Sequence, residues 1–153
     1  MGLKEKLHSE KIGGIEKEAV LNLLVASNFV KAAYEEVCNK YDLTGSQYNV
    51  LRILRGTYPD GYPRCDIIAR MIDPSPDVTR LIDRLEKINL VERFASIEDR
   101  RLSKARITQK GLDLLKKMNK DIEKFDGMLS STLSKEEMKK LSEICEKIYA
   151  EVR

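Results

Sequence analysis

The sequence VTRLIDRLEKINLVER, residues 78–93, decides the fold of this chain. Its apolar residues recur at the three- and four-residue spacing of one helix face. We expect four of them to point into a core: Val78, Leu81, Ile82 and Leu85. Ser75 is expected to cap the helix, with Pro76 in its first turn. Asn89 can adopt the left-handed conformation that ends a helix, so the pattern predicts a helix from residue 76 to residue 88.

A second short helix is predicted just upstream, over residues 64–72. Its apolar side consists of Ile67, Ile68, Met71 and Ile72. Asp73-Pro74 ends it, because a proline pushes the residue before it out of helical geometry. Two short helices joined by a tight turn, the second with a polar and basic outer face, are typical of a helix-turn-helix. The polar residues of that outer face are Asp77, Thr79, Arg80, Asp83, Arg84 and Lys87.

Two strands are predicted after the second helix, over residues 90–95 and 104–108. Ala105 and Ile107 share one face of the second strand, which predicts that this face is buried. The connection, residues 96–103, is too long for a tight hairpin turn. We therefore expect a charged loop that projects from the body of the protein.

Basic residues concentrate in this region, with Lys104 and Arg106 on the outer face of the second strand. Residues 64–110 hold eleven Lys or Arg and eight Asp or Glu, which accounts for the net charge of +3. Residues 100–110 hold five basic residues and no acidic residue. A localised positive strip is expected of an element that binds phosphates, although a solvated basic hairpin has the same composition.

Long helices are predicted on both sides of this region. Residues 15–41 carry apolar residues at helical spacing, and Thr44 with Gln47 forms a capping box for the next helix. Ser134 with Glu137 forms another capping box, ahead of the last helix. Apolar residues step by three and four along that helix: Met138, Leu141, Cys145, Ile148 and Val152. The last two helices of the chain either bury their apolar seams on each other as a hairpin or, as we favour, the first and last helices form a dimer with a second chain.

The residue inventory leaves little scope for catalysis. His8 is the one histidine, and the three cysteines lack the C-x-x-C spacing of a zinc site. Residues 56–61 match G-x-x-x-x-G, but Tyr62-Pro63 follows where a phosphate-binding loop needs Lys and Ser or Thr. The chain has no apolar stretch that could span a bilayer and no signal-peptide core. We expect a cytoplasmic protein that is not an enzyme, without a metal, a cofactor or a membrane partner.

These residues resemble the MarR family of winged helix-turn-helix repressors. VTRLIDRLEKINLVER (78–93) resembles the family's recognition helix, and IEDRRLSKARITQKG (97–111) resembles its D-R-R wing and the start of the following helix. Asn89 stands where the family often has Gly, and Ile107 replaces the usual Leu. The resemblance implies one domain over residues 1–153, a mainly α fold with a small β-hairpin.

The resemblance also implies how the chain is organised and what it does. Residues 44–108 would form the winged helix-turn-helix DNA-binding module, and residues 12–41 and 109–153 the helical dimerisation region. The implied function is that of a homodimeric transcriptional repressor, which binds a pseudo-palindromic operator in double-stranded DNA and is released by a small-molecule or redox signal. The alternative is a winged helix module that binds protein and not DNA, which would need an apolar exposed face on the recognition helix.

Candidate DNA contacts come from the helix and the wing. Thr79 and Arg80 lie near the start of the recognition helix, where base edges are met, whereas Asp77 either lies at the DNA or caps the helix. By resemblance, Arg101 enters the minor groove and Asp99 orients it, while the other basic wing residues meet phosphates. The full set is Ser75, Asp77, Thr79, Arg80, Arg84, Asp99, Arg100, Arg101, Lys104 and Arg106.

Two features are candidates for receiving a signal, and each has a structural alternative. Cys65 follows Pro63-Arg64 at a predicted helix start, where it either senses an oxidant or is a half-buried structural cysteine. Cys38 and Cys145 lie on apolar faces and are expected in the core. Five tyrosines either line an effector cleft or pack in the core: Tyr34, Tyr41, Tyr48, Tyr58 and Tyr62.

Replacing Arg101 with alanine tests the wing assignment. An arginine in a narrow A·T-rich minor groove meets an enhanced negative potential. We expect Arg101→Ala to weaken operator binding by roughly 1–3 kcal/mol and to lower the slope of log K against log salt by about one. Fluorescence anisotropy over a salt series measures both quantities. Binding like that of the parent protein at every salt concentration would contradict the assignment.

Overall fold

The computed structural model describes residues 2–9, 11–73, 77–95 and 103–150. Its elements are α1 (Leu3–Lys6), α2 (Ile15–Asn39), α3 (Gly45–Arg55), β1 (Tyr62–Pro63), α4 (Arg64–Ile68), α5 (Val78–Lys87), β2 (Val91–Ala95), β3 (Ser103–Ile107), α6 (Gln109–Asp126), a 3₁₀ turn (Gly127–Ser131) and α7 (Lys135–Ala150). The strands form one antiparallel sheet in the order β1-β3-β2. This confirms the predicted fold class, mainly α with a small sheet. Within the described ranges, every helix is too short or too polar to cross a membrane.

The core lies where α3, α5 and α6 meet the sheet. All four residues of α5 that the spacing predicts to face inward are buried: Val78, Leu81, Ile82 and Leu85. Ala105 and Ile107 are buried as well, which confirms the predicted inner face of β3. Leu51 and Leu54 of α3 and Met118 of α6 belong to the same buried cluster. α5 is therefore held to the body by its apolar face.

The start of α5 differs from the prediction. The helix begins at Val78 and not at residue 76, and its N-cap is Asp77 and not Ser75, which lies outside the described residues. The Oδ1 atom of Asp77 accepts a hydrogen bond from the backbone N–H of Arg80, at 3.4 Å. Aspartate caps a helix as well as serine does, so the carboxylate nearer to the helix takes this role.

α5 ends at Lys87, one residue before the predicted end, and the predicted left-handed residue follows it. Asn89 has a φ of +60°, and its N–H donates to the carbonyl of Glu86. The N–H of Leu90 donates to the carbonyl of Leu85. These two hydrogen bonds are those of a Schellman motif, which confirms Asn89 as the left-handed residue that ends the helix.

The first helix of the helix-turn-helix is shorter than predicted. α4 ends at Ile68 and not at residue 72. The N–H of Ile72 donates to Oδ1 of Asn49 on α3, at 2.9 Å, so the backbone has already left the helix there. Ile72 is consequently 80% exposed and does not belong to the apolar side, whereas Ile67 and Met71 are buried.

The sequence pattern does not predict β1. This two-residue strand pairs with Lys104 and Ala105 of β3. Gly61, just before it, has a φ of +68°, and a Cβ there would overlap the carbonyl oxygen of Ala105. Only glycine permits both this conformation and this close approach. Pro63 is tolerated because β1 is an edge strand.

The flanking helices start where the capping boxes predict. Thr44 and Gln47 cap α3 reciprocally, and Ser134 and Glu137 form the same pair of hydrogen bonds ahead of α7. Hydrogen bonds with the backbone and side chain of Ser134 hold the pKa of Glu137 below its usual value. α2 ends at Asn39, two residues before the predicted end.

The predicted apolar seam of α7 faces solvent in a single chain. No described residue of α7 is buried. Leu141 is 40% exposed and Ile148 is 46% exposed, while Met138 and Cys145 are partly buried. Val152 lies outside the described residues. The seam is therefore open to a second chain, as dimerisation requires.

Gly111 marks a close contact between α6 and the residues around β3. A Cβ at this position would lie 2.5 Å from the carbonyl oxygen of Leu90 and 2.6 Å from Cγ1 of Ile107. We expect Gly111→Ala to lower the free energy of unfolding by about 1–3 kcal/mol, as overpacking does. Urea denaturation measures the change. Gly127→Ala is the control, since no atom lies within 4 Å of a Cβ there. Equal stability of the two variants would contradict the close packing.

Candidate nucleic-acid interface

α5 presents a polar and basic surface on the side away from its buried residues. Thr79, Arg80, Arg84 and Lys87 are all exposed. In the part of the chain that the structure describes, Arg84 and Lys87 form no ion pair with a carboxylate. Two cations on this surface are thus exposed and available for phosphate oxygens.

Asp77 and Arg80 form a local pair at the N-terminal end of this surface. Oδ2 of Asp77 lies 3.2 Å from Nε of Arg80, while Oδ1 caps the helix. Of the two sequence interpretations of Asp77, the capping role is the one observed. The terminal nitrogens of Arg80 remain on the exposed side chain, where an arginine can hold a guanine edge.

Arg93 connects the wing to the recognition helix. Its Nη1 donates to Oε2 of Glu86 at 3.0 Å and contacts Oδ1 of Asp83, while Nη2 lies 3.5 Å from the carbonyl oxygen of Thr79. Asp83 and Glu86 thus pair with a residue of β2, and among the described residues neither forms an ion pair with a basic residue of its own helix. Side chains alternate between the two faces of a strand, so Arg93 lies on the same face of β2 as the buried Val91, which is the face that packs against α5. This alternation could have indicated from the sequence that Arg93 contacts α5.

The two basic residues of β3 lie on the opposite face of the sheet. Nε of Arg106 lies 2.7 Å from Oε1 of Glu92, and its guanidinium stands 4.8 Å from the centre of the Phe94 ring. Lys104, which is half-buried, forms no ion pair with a carboxylate among the described residues. Lys104 is therefore the freer of the two for a phosphate, and Arg106 would have to exchange Glu92 for one.

A cleft of about 420 Å³ separates α4, α5 and the sheet. It brings together three predicted functional residues, since Cys65, Thr79 and Lys104 all line it. Cys65 is exposed, so the interpretation as a half-buried structural cysteine is wrong. The remaining predicted DNA contacts lie outside the described residues: Ser75, Asp99, Arg100 and Arg101.

The five tyrosines do not form one cleft. Tyr34 packs against Tyr48 with ring centres 5.8 Å apart, and against Phe125 at 5.4 Å. Burial raises the pKa of both tyrosines above the usual value. Tyr41 lies beyond this cluster and donates a hydrogen bond to Asp121 of α6, at 3.0 Å. Tyr62 lies in β1, where the guanidinium of Arg70 stands 4.3 Å from the centre of its ring, and Tyr58 is exposed. The aromatic cluster of Tyr34, Tyr48 and Phe125 thus joins α2, α3 and α6.

The remaining cysteines and acidic residues give no sign of a metal site. Cys38 is buried as predicted, and its burial, reinforced by the nearby Glu35, raises the pKa of its thiol to about 12. Cys145 is only partly buried. Across the described ranges, no three His, Cys, Asp or Glu side chains gather in a way that could hold a metal ion.

The chain is similar in sequence to bacterial transcription regulators. No family model matches it. It is 33% identical over 112 residues to the HTH-type transcriptional regulator MhqR of Bacillus subtilis, and this match covers 72% of this chain and 74% of MhqR. It is 24% identical over 128 residues to the homoprotocatechuate degradative operon repressor of Escherichia coli, and this match covers 84% of this chain and 85% of the repressor.

Solved structures share its fold. A MarR transcription factor from Planctomyces limnophilus superimposes with a TM-score of 0.68 and 33% identity, over 89% of this chain and 98% of that one. The MepR–DNA complex of S. aureus gives a TM-score of 0.75 with 23% identity, over 84% and 94% of the two chains. The arrangement of α3, α4, α5 and the sheet is therefore one that solved structures already contain.

Proposed function

This chain belongs to the MarR family of winged helix-turn-helix transcriptional regulators, and we propose that it is a dimeric repressor, released from its operator by a small-molecule or redox signal. The surface of α5 carries this proposal. Its exposed residues are polar or basic, namely Thr79, Arg80, Arg84 and Lys87. A winged helix that binds protein would instead expose apolar residues there. The surface of α5 thus favours DNA as the partner.

Residues of the interface take different roles in this proposal. Arg80 reads a base edge, because an arginine can donate two hydrogen bonds to guanine O6 and N7. Thr79 lies beside it and suits a thymine methyl group or a phosphate. Arg84 and Lys104 meet phosphates, which fix the position of the protein without reading the sequence. Asp77 contributes indirectly, because it caps the N-terminus of α5 and pairs with the side chain of Arg80.

Exposed apolar side chains support the dimer. They lie on two helices: Ile15, Val20, Leu23, Leu24 and Phe29 on α2, and Leu141, Ile144, Ile148 and Tyr149 on α7. Several large apolar side chains exposed on one helix favour an interface with another chain. A two-fold dimer through these helices places two copies of α5 in successive major grooves, roughly 34–36 Å apart.

The aromatic cluster is the proposed route of the signal. Tyr34 of α2 contacts both Tyr48 of α3 and Phe125 of α6, so a ligand that separates these rings would shift the dimerisation helices against the DNA-binding module. The exposed thiol of Cys65, beside Thr79 in the cleft, is the corresponding candidate for an oxidant. Cys65 would receive a signal beside α5, whereas the aromatic cluster is connected to α5 through α3, whose Leu51 and Leu54 share its buried core.

The division between base reading and phosphate binding is testable with single variants. We expect Arg80→Ala to weaken operator binding by about 1–3 kcal/mol and to relax specificity at one position of each half-site. Lys104→Ala should weaken operator and random DNA equally and lower the salt slope by about one. Fluorescence anisotropy with both DNAs makes the comparison. Lys124→Ala, on the exposed side of α6, is the control and should bind as the parent does. Parent-like affinity of Arg80→Ala for both DNAs would contradict its role.

Truncation after Thr132 tests the dimer. It removes α7 and its apolar seam, so we expect a monomer or aggregate by multi-angle light scattering. A gentler variant, Ile144→Lys combined with Ile148→Lys, keeps the helix and should also yield monomer. Lys140→Ala on the same helix is the control and should remain dimeric. A truncated protein that stays a well-behaved dimer would refute the role of α7.

A further inference from the structure

We propose that Arg93 is a positioning residue for DNA recognition: its guanidinium locks the recognition helix to the wing and offsets two carboxylates beside the reading surface. The inference rests on the proposed DNA binding and adds to it a residue that makes no base contact. Arg93 lies in the middle of β2, and its partners Thr79, Asp83 and Glu86 form one stripe along α5, at intervals of four and three residues.

The geometry of the contact requires the planar guanidinium of an arginine, whose nitrogens form a fork. Nη2 points to the carbonyl of Thr79, at 3.5 Å, near the start of α5. Nη1 lies between the carboxylates of Asp83 and Glu86 further along the helix, and the backbone N–H of Arg93 adds a bond to Oε1 of Glu86 at 3.2 Å. One planar cation thus contacts nearly two turns of the helix. A lysine carries the same charge at a single point and cannot make these contacts together.

The electrostatic consequence concerns the whole reading surface. Residues 77–87 contain three acidic and three basic side chains, so α5 and its N-cap carry no net charge by themselves. Asp83 and Glu86 lie within the screening distance of the exposed cations on the same helix. The positive charge of Arg93, which lies on β2, offsets the negative charges of Asp83 and Glu86. Arg80, Arg84 and Lys87 then dominate the potential that DNA meets.

The contact contributes more to function than to folding. The side chains of Arg93, Asp83 and Glu86 are 32%, 44% and 40% exposed, and ion pairs so exposed to water contribute little to stability. The buried apolar face of α5 already holds the helix in place. The apolar contacts set the rotation of α5 about its axis, and what Arg93 adds is a directional polar contact that fixes the position of α5 relative to β2.

The test compares three variants on one operator and on random DNA over a salt series. We expect Arg93→Ala to lower operator affinity about tenfold or more, with an unchanged salt slope and a melting temperature within a few degrees of the parent. Arg93→Lys, which keeps the charge but not the fork, should recover less than half of the loss on a logarithmic scale. Arg55→Ala, an exposed arginine on α3, is the control and should bind as the parent does.

Each other outcome overturns the inference in an identifiable way. A salt slope that falls by about one in Arg93→Ala would make Arg93 a phosphate contact. Full recovery in Arg93→Lys would reduce its role to charge alone. If Arg80→Ala weakens binding and Arg93→Ala does not, the proposed function stands and the inference fails. If the parent protein binds no DNA at low salt, both fail.

Discussion

The burial of one face of α5 is the constraint on which the rest of the structure depends. Each of its four inward side chains is worth about 1.5–3 kcal/mol when fully buried, whereas an exposed ion pair contributes about 0–1 kcal/mol. The apolar contacts therefore decide how the helix is rotated about its axis. Because a helix repeats every 3.6 residues, that rotation leaves Thr79, Arg80, Arg84 and Lys87 facing outward. The same packing creates the core and orients the surface that we propose contacts DNA.

Polar contacts connect this helix to the rest of the chain. The hydroxyl of Thr108 donates to the carbonyl of Asn89 at 2.7 Å, and the ammonium of Lys110 donates to the carbonyl of Ile88 at 2.9 Å. The end of α5 is thus joined to the start of α6. Further along α6, Asp121 accepts the hydrogen bond of Tyr41, which follows α2. α6 is therefore a continuous physical connection between the recognition helix and the helices that we propose form the dimer.

Local periodicity predicts the features that depend on neighbouring residues. The buried face of α5, both capping boxes and the left-handed Asn89 all follow from spacings of a few residues. The prediction fails where a distant element intervenes: the N–H of Ile72, a residue expected in α4, donates instead to Asn49 of α3. Pairing with β3 likewise makes a strand of Tyr62 and Pro63, whose composition indicates only a turn. Arg93 is missed for the same reason, because its partners lie on another element.

The most direct test of the central claim is selection of bound DNA from a random pool. If the buried face of α5 orients its polar face toward base edges, and two chains assemble through their terminal helices, the recovered sequences will share a pseudo-palindrome. Its half-site centres will lie about one helical turn apart, roughly 10–10.5 base pairs. Recovered sequences without a shared motif, or with a motif that lacks two-fold symmetry, would contradict the account.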